Sequence, residues 1–152
     1  ELSTEKRKYF ETAELYYERA AQASPYSLAP LENREHLMIV QGRFEAALEL
    51  QNQIVQMAPE YPPAYIEQGR ILLHMGRAQE AIAAAQKAVD LDYYYLLGQD
   101  LKARAMEALG KKADALQVYK TIEGILQQFP SPENAERMKE IDARIQKLQG
   151  RP

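Results

Sequence analysis

The sequence predicts an all-α protein, a solenoid built from antiparallel helix pairs, and three observations support that prediction. Glycines recur every 34 residues, at Gly42, Gly76 and Gly110. Between them, apolar residues are spaced three and four apart, as on helices that bury one face. Strand signals are poor, because β-branched residues are sparse and no Asn-Gly or Asp-Gly turn occurs. A unit of this length must pack against its neighbours to bury its apolar side.

The glycines mark where the first helix of each pair ends. Helical periodicity runs over residues 31–40, 64–75 and 97–109, and each stretch stops near a glycine. A positive φ at that glycine would close the last turn at little steric cost. The second helix must follow almost at once, and so short a turn makes the two helices antiparallel. Small residues one turn into each second helix would then permit close approach: Ala13, Ala47, Ala81 and Ala115 keep the same 34-residue register.

The two ends of the chain are expected to differ from the middle. Residues 9–23 are predicted to form a second helix that lacks its first, and Ser131 is predicted to cap a last helix with an apolar stripe. We therefore expect one domain over residues 1–152, a fragment of a larger protein. Its predicted parts are an N-terminal half repeat at 1–27, repeats at 28–61, 62–95 and 96–129, and a capping helix at 130–149.

Composition excludes several classes of function. A net charge of -3 provides no basic excess for nucleic acid, and no apolar run is long enough to predict membrane insertion. There is no cysteine, and the two histidines lack metal-ligand spacing, so no metal or other cofactor is expected. No catalytic motif is visible either, so we predict that the chain is not an enzyme. The compartment stays unknown; a soluble, cytoplasmic protein is only slightly favoured over a periplasmic one.

The spaced residues resemble the tetratricopeptide repeat family. Over residues 62–95, the aromatic, small, large and glycine positions of the family pattern are matched by Tyr65, Gly69, Leu72 and Gly76. The resemblance extends over residues 9–129, with Glu35 standing where the family prefers glycine or alanine. It implies a right-handed superhelix whose concave groove, lined by the first helices, binds peptides or helices of other proteins. The lysine and asparagine clamp of chaperone-binding members is not reproduced.

Helical spacing proposes which residues line such a groove. If Gly69 and Leu72 face the second helix, the other side of the same helix is left for a partner. One set of matching positions across the repeats is basic or potentially basic: His36, Arg70 and Arg104. These side chains favour an acidic or carboxylate-bearing partner. The competing interpretation is that Asp100 and Arg104 form an ordinary ion pair within a helix. The candidate partner-binding residues are His36, Ile66, Arg70, Leu73, His74, Asp100 and Arg104.

Two other functions and one local feature complete the predictions. The aromatic N-terminal helix, with Tyr9, Phe10 and Tyr16, could pair with missing repeats or with another copy, giving a structural segment or a homo-oligomer. Alternatively, the chain is a regulatory arm of an enzyme encoded elsewhere in its parent. The run at residues 93–95, three tyrosines where the family has a closing proline, is expected to pack into the joint between two repeats.

Overall fold

The computed structural model describes residues 3–150, and in this range it is entirely helical. Eight α-helices follow one another in the described residues, joined by turns and short loops. They are α1 Thr4–Ala23, α2 Ala29–Val40, α3 Phe44–Met57, α4 Pro62–His74, α5 Ala78–Leu91, α6 Leu96–Ala108, α7 Lys112–Gln128 and α8 Pro132–Leu148.

The helices form two compact units, one ending at Glu60 and the other beginning at Tyr61. In the first unit α2 packs against both α1 and α3. In the second unit each helix from α4 to α8 packs against the next, and α4 also contacts α6. The predicted all-α fold of paired helices is confirmed, while the predicted repeat boundaries stay a prediction.

The repeating glycines close the first helices as expected. Gly42, Gly76 and Gly110 have φ of 72°, 73° and 72°. At each of them the following residue donates its N–H back across the last turn, as Arg77 does to the Leu72 carbonyl at 2.8 Å. The glycine N–H also donates to a carbonyl of the last turn, as Gly76 does to Leu73 at 3.0 Å. These two hydrogen bonds satisfy carbonyls that would otherwise lack partners. It also reverses the chain within three residues, which sets the helices antiparallel.

Small residues let the paired helices approach closely. Ala47, Ala81 and Ala115 are all 0% exposed, whereas Ala13 is only half-buried. A side chain at Gly69 would crowd both neighbours, since an added Cβ would lie 3.4 Å from the Ala81 carbonyl oxygen and 2.5 Å from Cδ2 of Leu101. Ala47, Ala81 and Ala115 of the register, together with Gly69, therefore mark positions of tight helix contact.

The last helix covers an apolar cluster at the end of the second unit. Ser131 caps α8 through its Oγ, which accepts a hydrogen bond from the Asn134 N–H at 3.0 Å. The predicted stripe on α8 packs on the cluster, with Ile141 buried within it. Its other members on this helix are Met138, Ile145 and Leu148.

The first helix is longer and more exposed than the pattern suggested. It begins at Thr4 rather than near Tyr9, because Ser3 supplies a cap: its Oγ accepts a hydrogen bond from the Lys6 N–H at 3.3 Å. None of the α1 side chains is fully buried. Most of the sequence ahead of Tyr9 is therefore helical and solvated.

Candidate functional site

Six of the seven candidate residues lie in the second unit, on the neighbouring first helices α4 and α6. Four of these side chains surround a pocket of about 290 Å³ between the two helices, which we call the α4–α6 pocket. Arg70, Leu73 and His74 come from α4, and Leu101 and Arg104 come from α6. The seventh candidate, His36, belongs to the first unit, where it is exposed on α2.

Helix geometry explains how the pocket is built. Arg70, Leu73 and His74 are three and four residues apart, so they project from one face of α4. Leu101 and Arg104 have the same spacing on α6. Leu101 is buried while both arginines are exposed. The pocket therefore combines a buried leucine at its base with two exposed arginine side chains at its walls.

Leu101 was missing from the candidates based on sequence. It stands one repeat after Glu67, so comparison of repeat columns gave it no apolar counterpart. Its position three residues before Arg104 was the available signal, because residues at this spacing share a helix face.

Ile66 does not lie where the sequence analysis placed it. Its side chain is only 4% exposed and packs with Ala85, Ala88 and Leu101 in a core cluster. The prediction that it faces a partner is corrected on this ground. The physical reason is that α6 contacts α4 as well as α5, so two sides of α4 are covered rather than one.

Acidic neighbours accompany both arginines of the pocket. Nη1 of Arg70 donates to Oε1 of Glu67 at 2.8 Å. Nη1 of Arg104 lies 3.7 Å from Oδ2 of Asp100, the intrahelical pair considered as an alternative in the sequence analysis. Such exposed pairs contribute about 0–1 kcal/mol each, because water screens the charges. The pairs orient the guanidinium groups without committing all of their donors, since each arginine has several.

A partly buried polar network supports the far end of α6. The hydroxyl of Tyr119 on α7 donates to Oε1 of Glu107 at 2.5 Å, and Nη1 of Arg144 on α8 donates to the same hydroxyl at 3.1 Å. The Arg144 guanidinium also lies 5.7 Å from the centre of the Tyr119 ring. Burial, and then the bond to Glu107, raises the pKa of Tyr119. These contacts connect α6, α7 and α8, so they position α6 within the second unit.

The tyrosine run divides into two environments. Tyr95 is half-buried and packs against the cluster around Ile66. Tyr93 and Tyr94 are each 54% exposed and contact one another edge to face, and Tyr94 also contacts Phe129 edge to face at 5.7 Å. Of the three tyrosines, Tyr95 packs against the core cluster, and the other two pack at the surface. Within residues 3–150, no group of three His, Cys, Asp or Glu side chains could hold a metal ion. None of the described helices is long and apolar enough to cross a bilayer.

Comparison with known proteins identifies the helix pairs. The sequence model of the tetratricopeptide repeat family matches residues 38–104, which include α3, α4 and α5 entirely. Residues 38–104 of this chain are tetratricopeptide repeat sequence. The matched residues include the glycine turns at Gly42 and Gly76 and the buried Ala47 and Ala81.

Curated relatives share part of this tetratricopeptide sequence. DnaJ homolog subfamily C member 7 of Homo sapiens is 27% identical over 116 residues, which cover 76% of this chain and 22% of the relative. Small glutamine-rich tetratricopeptide repeat-containing protein 2 of Mycosarcoma maydis is 32% identical over 76 residues, 50% of this chain and 22% of the relative. The chain therefore spans about a fifth of the length of these relatives.

Solved tetratricopeptide structures share the fold at low sequence identity. The TPR2B domain of yeast Sti1, in a complex described as containing pHsp70, superposes with a TM-score of 0.70 at 21% identity, over 79% of this chain and 94% of that one. The Yersinia enterocolitica translocator chaperone SycD gives 0.72 at 15% identity, over 83% and 86%. PcrH, solved with the chaperone binding region of PopD, gives 0.73 at 12% identity, over 84% and 94%.

Proposed function

We propose that this chain is a protein-interaction scaffold, and that its second unit binds an acidic or carboxylate-bearing peptide segment of a partner in the α4–α6 pocket. The observation that carries the proposal is the placement of Arg70, His74 and Arg104 around an apolar base. Guanidinium groups form charge-assisted, often bidentate hydrogen bonds with carboxylates. Leu73 and Leu101 at the base can pack against the methylene groups of the bound side chain.

The internal ion pairs permit such binding. A peptide carboxylate entering the pocket would compete with Glu67 for Arg70 and with Asp100 for Arg104. Both arginines are exposed and their acidic partners are partly exposed, so sharing or displacing these pairs costs about 1 kcal/mol each. A buried pair would instead oppose the exchange, because removing one partner leaves a charge without compensation. The arginines are thus oriented and still accessible.

Proteins of the same fold support the mode of binding. The first tetratricopeptide domain of Spaghetti (RPAP3), solved with the HSP90 peptide SRMEEVD, superposes with a TM-score of 0.59 at 18% identity. That peptide has acidic residues near its end. We propose for this chain the same kind of ligand, an acidic peptide segment, and name no partner protein.

Charge reversal tests the proposal with a matched control. The double variant Arg70→Glu/Arg104→Glu should bind a fluorescent acidic peptide pool, built around a fixed aspartate, at least about tenfold more weakly than the wild type. Arg77→Glu is the control, because Arg77 is also exposed and also pairs with a glutamate three residues away, Glu80 at 2.6 Å. Arg77 does not line the pocket. Equal affinity of the wild type and the double variant would refute the proposal.

A second candidate function is self-association through α1. Tyr9 and Tyr16 are among the large exposed side chains of this helix, as is Leu15. Aromatic residues with a polar tip are common in protein interfaces. Light scattering across a dilution series would test this function, with Tyr9→Ser/Tyr16→Ser as the variant. A wild type that stays monomeric at high concentration would exclude it.

A further inference from the structure

A second pocket lies beside α6, on the side of the last helix. It has a volume of about 200 Å³, and we call it the α6–α8 pocket. Its inner wall is apolar, formed by the buried side chains of Ile122, Leu126 and Ile141. Leu97 lines the pocket and is 55% exposed, so its side chain is accessible to a ligand. For scale, an apolar protein cavity of about 150 Å³ accommodates benzene.

The charges at the edge of this pocket are balanced. Asp100 and Glu140 contribute carboxylates, and Arg137 and Arg144 contribute guanidinium groups. Both arginines already have acidic partners: Arg137 pairs with Glu133 at 2.8 Å, and Arg144 lies 3.5 Å from Glu107. With no excess of either sign, the pocket offers little selectivity for a charged side chain. Its inner wall favours an uncharged, apolar one.

The two pockets open on the same face of α6. Leu97, Asp100, Leu101 and Arg104 follow the i, i+3, i+4, i+7 spacing, which places them on a single helix face. Leu101 and Arg104 line the α4–α6 pocket, while Leu97 and Asp100 line the α6–α8 pocket. The Asp100–Arg104 ion pair lies between them. A ligand lying along this face of α6 would therefore meet both pockets.

We infer that the α6–α8 pocket is an apolar anchor site for the same acidic peptide, taking a large side chain such as leucine, methionine or phenylalanine. This inference rests on the proposed function of the α4–α6 pocket. Leu97 and Arg104 are separated by two helical turns, about 10 Å along the axis. An extended peptide covers that distance in about three residues. The ligand therefore carries an acidic residue and, about three positions away, a large apolar one.

Peptides that differ only at the apolar position test the inference on the wild-type protein. The probes are short peptides with one fixed aspartate and either leucine or alanine placed three positions from it, on the N-terminal or the C-terminal side. We expect leucine on one side to strengthen binding by roughly tenfold over alanine, the usual effect of burying one large aliphatic side chain. Leucine on the other side should have little effect.

A variant locates the preference in the pocket. Leu97→Glu removes the exposed apolar edge, and it lies in the first turn of α6, where an acidic residue is compatible with the helix dipole. This variant should bind the leucine and alanine peptides equally and still bind both through Arg70 and Arg104. Leu15→Glu, a change of another exposed leucine in the first unit, is the control and should keep the leucine preference.

The outcomes separate the two proposals. Aspartate peptides that bind with no advantage for leucine on either side would overturn the anchor site and leave the acidic-peptide proposal standing. A leucine advantage that survives in Leu97→Glu would also overturn it, because the anchor would then lie elsewhere. Failure of all aspartate peptides to bind would overturn the proposed function together with the anchor site.

Discussion

The two compact units follow the same 34-residue register but bury different kinds of side chain at matching positions. In the second unit Gly69 and Ala103 are buried at the point where first helices approach their neighbours, and in the first unit Glu35 is buried at the same point of the register. Helix α7 has six buried residues, whereas α1 has none. The comparison teaches that the repeat fixes where helices begin and end, while the side chains decide how much core each pair contributes.

The largest expected contrast is between two tyrosines. Tyr119 in the second unit is 0% exposed, and Tyr16 on α1 is 65% exposed. Tyr119→Ala should lower the free energy of unfolding by about 3–5 kcal/mol, because it removes a large buried ring. Tyr16→Ala should change it by less than about 0.5 kcal/mol. Urea unfolding followed by circular dichroism measures both, and similar losses in the two variants would show that the units do not differ in this way.

The alanines of the 34-residue register should show the same difference between the units, with smaller changes in the free energy of unfolding. Ala81→Leu inserts bulk at a fully buried helix contact and should cost about 1–3 kcal/mol. Ala13→Leu makes the same change at a half-buried position of α1, where the new side chain can turn toward solvent. We expect it to cost less than half as much in the same urea titration. A larger loss at Ala13 would mean that α1 is packed more tightly than its exposure indicates.

The polar network of the second unit predicts a dependence on alkaline pH. Because the folded-state pKa of Tyr119 is raised, this tyrosine stabilises the protein below its unfolded pKa of about 10 and loses that contribution as the pH rises above it. Tyr119→Phe should cost about 1.5 kcal/mol at neutral pH, since it removes a hydrogen bond to a charged group. It should also flatten the loss of stability above pH 10.

An exposed tyrosine of the first unit is the control for that experiment. Tyr16→Phe should leave both the neutral-pH stability and the alkaline decline close to those of the wild type. Unfolding free energies measured between neutral pH and pH 11 give the comparison. If the unfolding free energy of Tyr119→Phe fell as steeply above pH 10 as that of the wild type, groups other than Tyr119 would cause the decline.

The smallest expected effect concerns the caps of the terminal helices. Ser131 caps α8, whose apolar stripe is packed, and Ser3 caps α1, which has no fully buried residue. Ser131→Ala should lower stability by about 1 kcal/mol, the usual value for an N-cap serine. Ser3→Ala should have less effect on global unfolding, because an exposed helix end opens locally. Equal losses would count against that distinction.

The sequence predicted local features well because they depend on residues close together in the chain. The glycine turns at Gly42, Gly76 and Gly110 need only a positive φ after a helix, and the stripe on α8 needs only helical spacing. Ile66 was placed wrongly because its burial depends on Leu101, which belongs to the next repeat. Spacing within α4 identifies the face toward α5 and says nothing of the side covered by α6.

The same limit applies to the candidate site. Arg70 and Arg104 could be selected from their column, and the Asp100–Arg104 pair follows from a spacing of four residues. The contact of Tyr119 with Arg144 joins residues 25 positions apart and leaves no periodic trace. The α6–α8 pocket depends on three helices at once, so its apolar wall was visible in the sequence only as separate core positions.

The hydrogen bond between Arg144 on α8 and Tyr119 on α7 determines where this polypeptide can be shortened. A chain that stops at Gln128 would uncover Ile122 and Leu126 and would remove the guanidinium that the Tyr119 hydroxyl contacts. Wetting that apolar surface invites aggregation. Truncation for crystallisation or for peptide screening should therefore retain everything through Leu148.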